Sequence, residues 1–236
     1  MQTANEPWRA VYRDLRKDID EGALRPGDAL PTIAALSART GLNAYAARRV
    51  MERLRDEGRV LSRQGRGFQV AAPRVPYRVG QRPRFTSAMT AQGFAVSTDF
   101  VAAGRWRLSD AMARRIGAPR RPAHLSAQML RRLDGKPVAL TRVIFPPNHT
   151  EGVLDALFAT KSVTEALRAV GVADFERTHT EVSGRLPTAS EAQTLDIARS
   201  DPVIVTTGIS VDTNAPKTVV ELNETIWRVD GVRLTF

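Results

Sequence analysis

Two helical patterns separated by a single glycine, then a basic glycine-rich hairpin, leave few folds open to the first 72 residues. Ala47, Val50, Met51 and Leu54 fall on one face of a helix that Asn43 caps and Gly58 ends. Upstream, Thr32 caps a shorter helix that runs to about Arg39 and buries Ile33 and Leu36, and Gly41 breaks it. Trp8, Val11, Leu15 and Ile19 recur at three- and four-residue steps in a first helix, closed by Gly22 and the turn Arg25-Pro26-Gly27-Asp28. Arg59–Arg63 and Phe68–Val70 read as two short strands about Gln64-Gly65-Arg66-Gly67. Three helices and a two-stranded wing is the order of a winged helix-turn-helix, which predicts a DNA-binding domain over residues 1–72.

Charge agrees with that reading only by its location. The net charge is +10 with a pI near 11.0, and the excess sits early: residues 1–72 carry +4, residues 73–121 carry +8 and residues 122–236 carry −2. Arginine suits bidentate contacts to phosphate and guanine, although an arginine-rich composition also follows from a GC-rich genome. Residues 73–83, with several prolines and arginines and no apolar period, are expected to be a linker.

Residues 84–236 show a mixed pattern. Strands are expected at Val96–Ala103, Ala123–Leu133, Lys136–Pro146, Phe175–Leu186, Pro202–Val211 and Lys217–Arg228, with helices at Ser109–Gly117, Ser162–Gly171 and Thr188–Ile197. Asp134-Gly135 is a strong hairpin turn. Long antiparallel strands with interspersed helices predict an α+β domain.

On the third helix, the face opposite the core offers Ala44, Tyr45, Arg48 and Arg49. A recognition helix reads base edges from its N-terminal turns, so Tyr45 and Arg48 are the candidate readers. The bland alternative makes Arg48 and Arg49 solvated charges; the helix-turn-helix-wing order favours the interface. Thr32, Asn43 and Gly67, with Arg63 and Arg66 on the wing, complete the candidate DNA-binding set. The two wing arginines would position the domain on phosphate or in the minor groove.

Pro26-Gly27, Leu30-Pro31-Thr32, Gly41-Leu42-Asn43, Arg48-Arg49, Leu54, Gly58 and the run Gly65–Val70 resemble the GntR-type winged helix. Ala34 and Ala44 stand where that family usually has operator-touching arginines, which implies a different operator, read more by Tyr45 and Arg48. Further on, Arg82-Pro83-Arg84-Phe85, Gly93, Asp134–Val138, Phe145-Pro146, Ser162-Val163-Thr164, Ala189–Ala192 and Val220-Glu221 resemble the UTRA effector domain of the HutC branch. The stretch Ser162–Asp174 is similar to regulators of phosphonate metabolism. The resemblance implies a chorismate-lyase-like fold and an effector pocket. Arg131 takes its basic position, Glu221 an acidic one, and Trp227 stands where a tyrosine is common. Thr141 replaces a common pocket glutamate, which argues against a sugar-phosphate effector. Ser162, with Thr164 and free backbone N–H groups at a helix start, makes an anion site. Each has a plainer reading: Ser162 as a helix cap, Arg131 and Glu221 as surface charges, Trp227 as core.

Other chemistry is narrowed by what the sequence lacks. With no cysteine there are no disulfides and no Cys-ligated metal. His124, His149 and His179 show no ligand spacing, and no cofactor-binding motif is present. No stretch approaches the ~18 apolar residues of a membrane helix, and the start lacks a signal peptide, so a cytoplasmic protein is expected. The expectation is a homodimeric repressor that binds a palindromic double-stranded operator and is released by a small anionic effector. A small enzyme with an accessory N-terminal domain is the alternative.

Overall fold

The computed structural model describes residues 6–63, 67–71, 74–82, 84–108, 110, 113–114, 124–146, 151–216 and 218–236, with Arg63 described for its backbone alone. The chain divides into two compact units, Met1–Arg74 and Val75–Phe236.

The first unit holds α1 (Pro7–Asp20), α2 (Ile33–Thr40) and α3 (Ala44–Asp56), then β1 (Val60–Arg63) and β2 (Gly67–Val70). Capping fixes both helix starts: Thr32 Oγ1 accepts from the Ala35 N–H at 3.2 Å and Asn43 Oδ1 from the Ala46 N–H at 2.8 Å. Gly41 ends α2 in the left-handed conformation (φ 72°), which lets α3 leave in a new direction. Ala47, Val50, Met51 and Leu54 are buried, packed with Leu36, Leu42 and the apolar stripe of α1. β1 and β2 pair antiparallel, and Ala29 bridges to Gln69 on the wing's outer side.

In the second unit, β4 (Val96–Trp106), β5 (His124–Leu133), β6 (Lys136–Phe145), β7 (Phe175–Arg185), β8 (Val203–Asp212) and β9 (Val219–Arg228) form one sheet in the order β4-β5-β6-β9-β8-β7. Every neighbouring pair is antiparallel. Successive side chains on a strand face opposite sides, so each face of the sheet carries its own core. Met129, Val143 and Phe145 pack under α5 (Val153–Thr160) and α6 (Val163–Ala169). Leu130, Leu140 and Ile226 pack against Leu195 of α7 (Ala189–Leu195). With α4 (Phe85–Ala91) this is the expected α+β class.

Four segments depart from the sequence reading. Val75–Arg78, expected to be linker, is strand β3, paired in parallel with β10 (Val232–Thr235). Its partner lies at the far end of the chain, so no local pattern announces it. α4 and α5 were not anticipated; α5 starts from a left-handed Gly152 with no side-chain cap, and its sequence VLDALFAT is apolar almost all round. The helix expected at Ser109–Gly117 lies largely outside the described residues, and His149 lies there too.

Leu54 is fully buried at the centre of the N-terminal core. Leu54→Ala should cost about 2–5 kcal/mol. Calorimetry is expected to show the transition of the N-terminal unit falling while that of residues 75–236 stays in place.

Candidate functional site

On α3, Ala44, Tyr45, Arg48 and Arg49 are exposed on its first two turns, and Tyr45 is 75% exposed. A large aromatic left in water at that level has no packing role in its own unit. Arg48 stands one turn further along the same face. Arg49 is different: its guanidinium lies 4.5 Å from the centre of the Trp8 ring and 3.6 Å from Glu6 Oε1, so it also ties α3 to α1. The Trp8 indole N–H donates to Glu6 Oε2 at 2.7 Å and, with Arg49 and Arg9, holds the Glu6 carboxyl below the usual carboxylate range. Thr32 and Asn43 are occupied as caps through their oxygens, which leaves the Thr32 hydroxyl proton and the Asn43 amide free to donate. Gly67 opens β2 opposite Arg63 with φ 74°. Arg66 and the side chain of Arg63 lie outside the described residues.

In the second unit, one cavity of about 200 Å³ takes in all six of the other candidates: Arg131, Thr141, Ser162, Thr164, Glu221 and Trp227. Its floor is a single face of the sheet. On β9, Glu221, Asn223, Thr225 and Trp227 alternate with Leu222 and Ile226, which belong to the opposite cores. Arg131 and Glu221 are therefore buried, at 7% and 5% exposure, and not surface charges. The Arg131 guanidinium donates to Thr98 Oγ1 at 3.1 Å and lies 5.8 Å from the centre of the Phe85 ring. Burial pulls it below its ordinary pKa against the opposing pull of Tyr77 and Glu221. Glu221 accepts from Ser210 Oγ at 3.1 Å and from Asn223 Nδ2 at 2.9 Å. Thr141 and Thr225 share a hydrogen bond of 3.2 Å between hydroxyls.

Trp227 closes one end. Its indole N–H donates to Thr206 Oγ1 at 2.8 Å, and its ring sits 5.4 Å from Tyr77 and 5.9 Å from Phe85. Burial pushes the Tyr77 hydroxyl up to about 12, so it stays protonated. Ser162 is indeed a cap, its Oγ accepting from the Glu165 N–H at 3.4 Å, and it borders the cavity as well.

Sequence reasoning missed several lining residues. Tyr77 and Val79 were hidden in the supposed linker, and Phe85 was noted only within a motif. Arg177 on β7 was the most consequential omission. Its buried Nε has no hydrogen-bond partner, and the guanidinium lies on Gly208, where a Cβ would come within 2.6 Å of Nε and 2.7 Å of Cζ. A glycine inside a long strand is the signal that something approaches closely there. Arg168, also at the cavity, pairs with Glu165 at 2.8 Å, and Arg84 pairs at 2.8 Å with Asp174, which Arg82 also reaches at 3.1 Å. Although desolvation works upward, the Phe175 N–H with Arg82 and Arg84 holds the Asp174 carboxyl below the usual range.

Among the described residues no cluster of His, Asp or Glu could hold a metal ion, and no helix is long and apolar enough to cross a membrane. Comparison with known proteins agrees with both halves of the chain. The model of the bacterial regulatory proteins of the gntR family matches residues 7–70, and that of the UTRA domain matches residues 91–233, more than half of the chain. An uncharacterized HTH-type transcriptional regulator of Rhizobium meliloti is 26% identical over 228 residues, covering 96% of this chain and 93% of that one. The mannosyl-D-glycerate transport/metabolism system repressor MngR of Escherichia coli is 23% identical, with 97% and 94% covered. The crystal structure of PhnF from Mycobacterium smegmatis superposes with a TM-score of 0.64 at 24% identity, covering 95% of this chain and 97% of that one.

A buried guanidinium with no carboxylate partner opposes folding. If Arg131 is kept for a ligand, Arg131→Met should raise the stability of the unliganded protein by about 1 kcal/mol or more, read as a higher urea midpoint. A drop in the midpoint would make Arg131 a structural group.

Proposed function

Because the chain belongs to the UTRA-domain family of GntR-type transcriptional regulators, we propose that it is a homodimeric repressor released from a palindromic operator by a small anionic effector. Its relatives are transcriptional regulators rather than enzymes. The repressor sense is supported by the Escherichia coli relative, a repressor of a mannosyl-D-glycerate transport and metabolism system. The observation that carries the operator reading is the exposed pair Tyr45 and Arg48 on the outer face of a helix whose inner face is fully buried. Thr32, Asn43, Ala44, Arg49 and Gly67 border that surface, and wing residues Arg63 and Arg66 supply phosphate contacts.

Residues 1–72 form the DNA-binding domain in this reading and residues 84–236 the effector domain. The buried Arg131 and half-buried Arg177 of the cavity favour an anion, and a volume well below the ~300–1,000 Å³ of common ligand pockets favours a compact one. The stretch Ser162–Asp174, similar to phosphonate-metabolism regulators, points to a phosphonate or a phosphorylated metabolite. By linkage, an effector that weakens operator binding must favour a dimer geometry that fits DNA less well. A cytoplasmic location follows from that role.

Two outcomes check the operator half. Arg48→Ala should weaken the operator complex by ~1–3 kcal/mol, about 5- to 150-fold, in a fluorescence-anisotropy titration, and relax preference at one base pair. Operator affinity should also fall steeply as salt rises, because arginine–phosphate contacts release counterions. Unchanged affinity in both the Arg48→Ala and Tyr45→Ala proteins, with circular dichroism intact, would remove the operator reading.

A further inference from the structure

The cavity of the second unit holds charges of both signs that its own residues leave unneutralised. Among the described residues, Arg131 and Arg177 form no ion pair, and neither does Glu221. The other two cavity arginines already have carboxylate partners, Arg168 in Glu165 and Arg84 in Asp174, which it shares with the more exposed Arg82. What remains is two guanidiniums against one carboxylate, an excess of one positive charge.

The register places these groups. Ala139 pairs with both Arg131 and Trp227, which puts Arg131 at the aromatic end of the floor. Gly208 pairs with Asn223, and the Arg177 guanidinium lies on Gly208, so Arg177 stands at the Glu221 end. There the Glu221 carboxylate receives one hydrogen bond on each oxygen, both from neutral donors. A carboxylate has about four lone-pair sites, so roughly two remain for a ligand. Burying that charge beside neutral donors is costly unless a cation completes the site.

Resting on the effector reading above, we infer that the cavity is built for a small anion that also carries an ammonium group, the anion held by the arginines and the ammonium by Glu221. A net charge of −1 on the ligand balances the cavity. An aminoalkylphosphonate and an amino dicarboxylate both meet that description, and the aromatic end adds ring faces that attract a cation or cover a short alkyl chain.

Isothermal titration of the full chain with paired probes separates the possibilities. Ethylphosphonate is compared with 2-aminoethylphosphonate, and glutarate with glutamate; glucose 6-phosphate serves as a hydroxyl-bearing control. In one pair the amine-bearing member should bind about tenfold tighter or more, as one added charge-assisted hydrogen bond implies. The pair that shows it identifies the oxyanion. Glu221→Gln should erase the preference, bringing the amine-bearing member to no better than parity with the amine-free one. Gly208→Ala, which displaces Arg177, should weaken both members alike. Equal affinities within both pairs, a preference that survives Glu221→Gln, or tightest binding of glucose 6-phosphate would overturn the inference. If the amine-free anions bind without preference, the inference fails and the effector cavity stands; if no probe binds, both fail. Should Glu221→Gln not fold, the preference measured on the unaltered chain still decides.

Discussion

A strand in the middle of a sheet that is covered on both sides ordinarily fills both faces with apolar side chains. β9 does so on only one. Leu222 and Ile226 enter the cores of one side, while Glu221, Asn223, Thr225 and Trp227 line up on the other. Because the side-chain period is two, this polar row cannot be dispersed without shifting register, and a shift would turn the leucine and isoleucine into the cavity. At the Trp227 end, β3 and α4 close an apolar cluster with Tyr77 and Met89, and together with α6 they wall the rest of the row into a cavity. The threonines and Ser210 hydrogen-bond within the row, so most of its polarity is internally satisfied. The charges are the remainder.

Those charges set stability against binding. Arg131, Arg177 and Glu221 would be cheaper to keep in water, since the neutral hydrogen bonds that Arg131 and Glu221 have here replace only part of their hydration. The N-terminal unit shows the opposite economy. Its ion pairs sit at the surface, several of them where α1 meets the end of α3; there the one Tyr12 hydroxyl proton is shared between the two oxygens of Glu57, at 2.7 and 2.8 Å, and Arg53 approaches Glu57 at 2.9 Å. Exposed pairs of that kind contribute little each, and they fix the angle of two helices more than they deepen the fold. Tyr45 and Arg48 are kept apart from this network, on the face where no packing is asked of them.

Most of the N-terminal unit was legible because its signals are local. A cap and its helix lie within a few residues, and the four buried positions of α3 follow from 3.6-residue periodicity alone. In the second unit the long strands were legible from the same kind of pattern, with ends shifted by a few residues. Its cavity was only half readable. Arg131, Thr141, Ser162, Thr164, Glu221 and Trp227 came from family likeness, since a buried glutamate and an exposed one look alike in a strand whose neighbours are unknown. Tyr77 and Val79 escaped because prolines, arginines and a glycine around them mimic a linker, and their structure depends on a strand more than 150 residues away. Arg177 escaped because its place is defined by what is missing at Gly208.

The pairing of β3 with β10 sets Val75 beside Val232 and Arg78 beside Thr235. The residues that open the second unit are thus held by rungs more than 150 residues further along the chain. Tyr77 lines the cavity from inside that pairing, so whatever fills the cavity presses on a strand whose hydrogen-bonded neighbour is the last strand of the sequence, Val232–Thr235.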